Sequence, residues 1–147
     1  MKKLIIFITI ISIIALTFVG CSSEIDVDKT VKKLEKRGLT VTQSVTSADE
    51  LKEMSAIFNS EVAYMGGDFT VEVTKYVALI EGDDYYNQCQ IVTFATENEA
   101  MSYAELEIDF NKSTYGDNSE WKVAQSGCVV VITNLDVVFK TVKADFK

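Results

Sequence analysis

Residues 69–100 read FTVEVTKYVALIEGDDYYNQCQIVTFATENEA, and this stretch decides the fold class. Phe69 to Val73 alternates apolar with polar residues, and Tyr76 to Ile80 is continuously apolar, so 69–80 reads as one strand, straight or bulged. Glu81-Gly82-Asp83-Asp84 has the residue types of a tight turn. Tyr85 to Phe94 then returns as the second arm of a hairpin. Thr96, with Glu99 three residues on, has the capping-box form that starts a helix. A hairpin flanked by helices implies an antiparallel sheet with helices on its faces.

The same pattern extends to both sides. Upstream, Ser47 with Glu50 is another capping-box form. Leu51, Met54, Phe58 and Val62 keep one helical stripe, and Gly66-Gly67 ends it. Residues 46–95 are thus a helix–strand–strand unit. Downstream, Ala100, Tyr103, Ala104 and Ile108 carry the next helix, which is expected to fray into a polar loop over Asn111 to Ser119. Glu120 to Ala124 reads as a strand and Gln125-Ser126-Gly127 as a turn. Cys128 to Thr133 (CVVVIT) is apolar on both faces, as in a central, fully covered strand. Residues 96–133 form the second helix–strand–strand unit. Asn134 is placed to cap a last helix in which Leu135, Val138, Phe139, Val142 and Phe146 keep helical spacing. Before the first unit, Val27 to Arg37 has a helical stripe, Gly38 suits a left-handed stop, and Leu39 to Val45 alternates like a strand. The order α-β-α-β-β-α-β-β-α predicts a single α+β domain over 27–147.

The chain opens differently. Lys2-Lys3 precedes an apolar run from Leu4 to Gly20, broken only by Thr9, Ser12 and Thr17. A charged start, an apolar run and a small residue before a cut are the parts of a secretory signal peptide. Phe18-Val19-Gly20-Cys21, followed by Ser22-Ser23, resembles the lipobox of bacterial lipoproteins, with Phe18 where leucine is usual. The resemblance implies that residues 1–20 are a signal peptide, that Cys21 receives a diacylglycerol, and that a peptidase cuts before it. Residues 21–26 then form a short tether. Two buried acyl chains suffice for stable membrane attachment where one does not. The implied location is the cell membrane, lipid-anchored, with the domain facing the extracytoplasmic side. Phe94-Ala-Thr-Glu-Asn-Glu-Ala100, a strand-ending aromatic followed by a capped helix, also resembles small uncharacterised lipoproteins of Gram-positive bacteria, and brings no activity with it.

Composition narrows the chemistry. Losing residues 1–20 removes two of the 14 basic residues and none of the 22 acids, leaving a net charge of −10. Nucleic-acid binding needs a basic footprint, so it is not expected. With no histidine, the commonest metal ligand and the usual general base near neutral pH are absent. Cys89 and Cys128 show no CxxC spacing, so a structural zinc site is not expected either. Both suit half-apolar strands and are expected as free thiols. The acidic turn 81–84 lacks the alternating ligands and closing glutamate of an EF-hand. Glu105, Glu107 and Asp109 read as a solvated helix face, and no particular pair of carboxylates stands out for glycosidase-type work. No nucleophile elbow, Walker loop or dinucleotide fingerprint occurs. No cofactor and no metal are therefore expected. Tyr64, Tyr85, Tyr86, Tyr115 and Trp121 fall near turns and strand ends, where such rings close the rim of a core or anchor a partner.

The basic residues are polarised along the chain. Lys29, Lys32, Lys33, Lys36 and Arg37 recur at helical spacings beside the tether, whereas 39–147 holds seven basic residues against eighteen acids. These five are the candidate membrane-surface contacts. The expected function is a membrane-anchored extracytoplasmic lipoprotein with a non-enzymatic domain that binds an unknown protein or envelope partner. The alternatives are a small enzyme acting on envelope polymers and a protective or inhibitory surface lipoprotein.

Overall fold

The computed structural model describes residues 25–146. It contains α1 (Val27–Glu35), β1 (Leu39–Val45), α2 (Ala48–Tyr64), β2 (Val73–Glu81) and β3 (Asp84–Phe94). These are followed by α3 (Glu97–Tyr115), β4 (Lys122–Ser126), β5 (Val129–Thr133) and α4 (Asp136–Asp145). The fold is α+β, as the sequence pattern implies.

Local chemistry explains most boundaries. Asp26 accepts the amide of Lys29 at 3.1 Å and Thr96 that of Glu99 at 3.2 Å, so each satisfies an orphan donor in the first turn of α1 or α3. Ser47 occupies the cap of α2, but its hydroxyl donates to Glu50 rather than accepting a backbone amide. Gly82 closes the β2–β3 turn with φ 58° and Gly116 stops α3 with φ 76°, both in the region that glycine enters without steric cost.

All four strand pairings are antiparallel, in the order β1-β2-β3-β5-β4. The two helix–strand–strand units meet through their second strands, with Ile91 opposite Val131 at the junction. In the β2–β3 hairpin, Ile80 pairs with Gln88 but Glu81 pairs with Asp84. Residues 85–87 therefore bulge from the ladder. The bulge is pinned from β5's end, where Gln88 donates its amide to Asn134 Oδ1 at 2.9 Å and Asn134 Nδ2 donates to the Tyr86 carbonyl at 2.7 Å.

Helices cover both faces of the sheet. On one, Val77, Leu79, Cys89, Ile91, Val129 and Val131 pack with Leu34 of α1 and Val138 and Val142 of α4. On the other, Tyr76, Val92, Phe94, Val130 and Ile132 pack with Phe58 and Val62 of α2 and Tyr103 of α3. Phe58 is the hub of this second core, with ring centroids 5.9 Å from Tyr76, 5.8 Å from Phe94 and 5.2 Å from Tyr103. Two covered faces are why every residue of β5 is buried.

Several expectations change. Residues 69–72 precede β2 rather than belonging to it, because Asn59 of α2 satisfies the Val71 amide and carbonyl in place of a ladder. α3 runs on to Tyr115 instead of fraying at Asn111, since Asn111 is buried and its side chain donates to Glu107. Asn134 does not cap α4; Leu135 is the cap, and the Asn134 side chain is spent on β3. Cys128 is buried and disulfide-bonded, whereas Cys89 is a buried free thiol as expected.

Candidate binding cleft

The inward stripe of α3 begins with Ala100, Tyr103 and Ala104, all buried. One and two turns on, the same stripe carries Glu107 and Asn111 instead of apolar residues. Ile108, the expected continuation, is 47% exposed. Helix and sheet therefore cannot close into a dry core there. A cleft of about 330 Å³ opens between the C-terminal halves of α2 and α3, floored by Gln88, Gln90 and Ile132 of β3 and β5. Its walls carry Glu61, Tyr64 and Met65 from the α2 side and Tyr103, Glu107 and Phe110 from α3, with Trp121 at the start of β4. Tyr64 and Phe110 meet edge-on across it at 5.7 Å. Two further hollows adjoin through shared residues, one past Asn111 and Trp121, the other past Tyr115 and Trp121 to Tyr86.

The electrostatics are one-sided. Tyr103 buries its ring and donates its hydroxyl to Glu61 at 2.9 Å. Burial, with the Glu61 and Glu107 carboxylates beside it, pushes the Tyr103 hydroxyl far up, so it stays a donor. Glu107 is half-buried. Burial raises its carboxyl; the Asn111 amide, donating at 3.1 Å, works against this, and Glu61 repels it further. Among the described residues, no lysine or arginine lines the cleft. At the rim, Tyr86 donates to Glu120 at 3.0 Å, and burial plays little part in holding its hydroxyl proton: the Glu120 hydrogen bond is the main cause of its raised pKa.

Of the aromatic residues singled out in the sequence, Tyr64, Tyr115 and Trp121 converge on this cleft and Tyr86 on the adjoining hollow. Tyr85 lies apart, 77% exposed on the bulge. Glu105 and Asp109 form a solvated face as expected, but Glu107 does not. The sequence signal was the helical stripe itself: from Ala100, Tyr103 and Ala104 it leads to 107 and 111, and two polar residues there mark a wet end of the helix–sheet interface. Glu61 carried no such signal, because its role depends on where Tyr103 arrives.

Lys29, Lys32, Lys36 and Arg37 are exposed on or just beyond α1. Lys33 is paired with Asp145 of α4 at 2.7 Å, and Asp28 on the same helix with Lys75 at 2.6 Å. Cys21 lies outside the described residues. Among those residues, no group of three or more histidine, cysteine or acidic side chains could hold a metal ion, and no helix is long and apolar enough to cross a membrane. No family model, curated protein or solved structure matches the chain.

Proposed function

We propose that this protein is a membrane-anchored extracytoplasmic lipoprotein, tethered by lipid at Cys21, whose domain binds a ligand without transforming it. The observation that carries the binding role is the cleft between α2 and α3: a concave, ring-lined hollow with a few convergent polar groups. The apolar run ending at Gly20-Cys21 supports the anchor. The exposed basic residues of α1 follow the tether directly, and in this reading they face the bilayer.

An enzyme acting on envelope polymers would draw on the Glu61 and Glu107 pair. The pair's surroundings favour binding, since Glu61 is held by Tyr103 and Glu107 by Asn111.

The anchor is tested by mass spectrometry of the full chain extracted from membranes. The expected result is a chain starting at Cys21 with acyl mass. An intact Met1 terminus, or a chain without acyl mass, would overturn the lipid anchor. The non-enzymatic role fails if envelope polymer incubated with the protein is cleaved, and cleavage is lost in Glu107→Gln.

A further inference from the structure

We infer that the cleft between α2 and α3 takes a small organic cation, held by its aromatic rings and by the carboxylates of Glu61 and Glu107. The inference deepens the binding reading above and rests on it. Three observations converge. Among the described residues the cleft has two acidic side chains and no basic one, so an occupant meets net negative charge from them. Its walls are ring faces and edges: Tyr64 against Phe110 at 5.7 Å, with Tyr115 and Trp121 completing the rim. Rings around an ammonium group supply attraction from their negative faces that a neutral molecule of the same shape does not receive. The volume of about 330 Å³ lies at the small end of the ~300–1,000 Å³ range of ligand sites, which fits a small amine better than a polymer segment.

A neutral sugar also stacks on rings and bonds to amides. It leaves the mutual repulsion of Glu61 and Glu107 unrelieved, however, and their charge undiminished in a cavity with no countercharge. A cation relieves both. The nearest basic side chain of the adjoining hollow, Lys112, is turned to Asp117 at 3.4 Å and stands exposed outside the cleft. The chain therefore supplies no internal countercharge from its cleft-lining residues.

Trp121 is the only tryptophan of the chain and lines the cleft, so its emission reads occupancy. The full chain in detergent micelles is titrated with choline, ethanolamine and cadaverine. Each is matched by a neutral counterpart: 3,3-dimethylbutan-1-ol, ethylene glycol and pentane-1,5-diol; N-acetylglucosamine is the sugar arm. At least one cation is expected to give a saturable change, at least tenfold tighter than its neutral counterpart. That advantage should fall at least fivefold in Glu61→Gln, whose parent side chain is exposed, and in Glu107→Gln. Glu105→Gln, an exposed acid on the same helix, should leave it unchanged. A cation bound no better than its neutral counterpart, or equally well by both cleft variants, overturns the inference. Saturable binding of the sugar alone overturns the cation while leaving the cleft a binding site. Silence from every probe overturns the cation assignment and withdraws support from the binding reading as well.

Discussion

Glu107 is an acid at a position of α3 where the helical stripe calls for an apolar residue. Burial and the Glu61 charge raise its carboxyl in the fold, so the unfolded chain ionises first as pH rises. The folded state then binds more protons than the unfolded one, and stability falls through the carboxylate range until Glu107 itself ionises. Glu107→Gln keeps an acceptor for Asn111 and removes that loss. Its melting temperature should exceed the parent's at pH 7, with the gap closing toward pH 4; a parent more stable at pH 7 would contradict this. A second residue carries an uncompensated group: Thr93 Oγ1 is buried with no hydrogen-bond partner. Thr93→Val preserves the branched shape and removes the orphan hydroxyl, which costs roughly 1–3 kcal/mol when left unmade. Denaturant melts should show the variant at least as stable as the parent, by up to about 1 kcal/mol. Cys89, its thiol pushed up to about 12 by burial, should resist alkylation in the folded protein at neutral pH.

At the scale of elements, α1 divides its labour by face. Val27, Thr30 and Leu34 are buried against the sheet, while Lys29, Lys32 and Lys36 stand exposed on the helix's other side, with Arg37 just past its end. A solvated helix face is the ordinary use of such charges. Here the face follows the tether, and each basic residue held near an anionic bilayer contributes on the order of 1 kcal/mol within a Debye length. Lys33 should contribute least, because Asp145 already pairs with it. In a Cys21→Ser background, replacing Lys29, Lys32, Lys36 and Arg37 by glutamine should lower binding to anionic vesicles at 20 mM salt by at least tenfold. Lys33→Gln alone should change it little. Equal binding by the parent and the fourfold variant would show that the helix has no part in orienting the domain.

At the scale of the whole molecule, one sheet is shared by two cores, one on each face. Phe58 anchors the core under α2 and α3, and Leu34 belongs to the core under α1 and α4. Phe58→Ala should cost about 3–5 kcal/mol and Leu34→Ala about 2–5 kcal/mol, each leaving a cavity in a close-packed layer. Sites without shared partners add to within roughly 0.5 kcal/mol. Equilibrium unfolding of the two single variants and the double variant checks this, with a weaker core measured in Phe58→Tyr if the double variant does not fold. A coupling well beyond that margin would mean the sheet transmits repacking from face to face.

What the chain determines locally is what neighbours in sequence can enforce. Thr96 with Glu99, the Glu81–Asp84 turn, Gly38 and the apolar run 129–133 each act within a few residues, and helix, hairpin and covered strand follow from them. The α+β class was legible for that reason, as was the pairing of β2 with β3 through a short turn. The polar break in the α3 stripe at 107 and 111 was also present in the sequence, but reading it required knowing which side of the helix faces the sheet. Packing alone decided the rest. That β3 lies beside β5, that Asn134 serves β3 rather than α4, and that Glu61 meets Tyr103 across 42 positions are long-range outcomes with no local signal. Their energies come from burying both faces of the sheet at once, and only the closed fold brings two acids and a set of rings to one cleft.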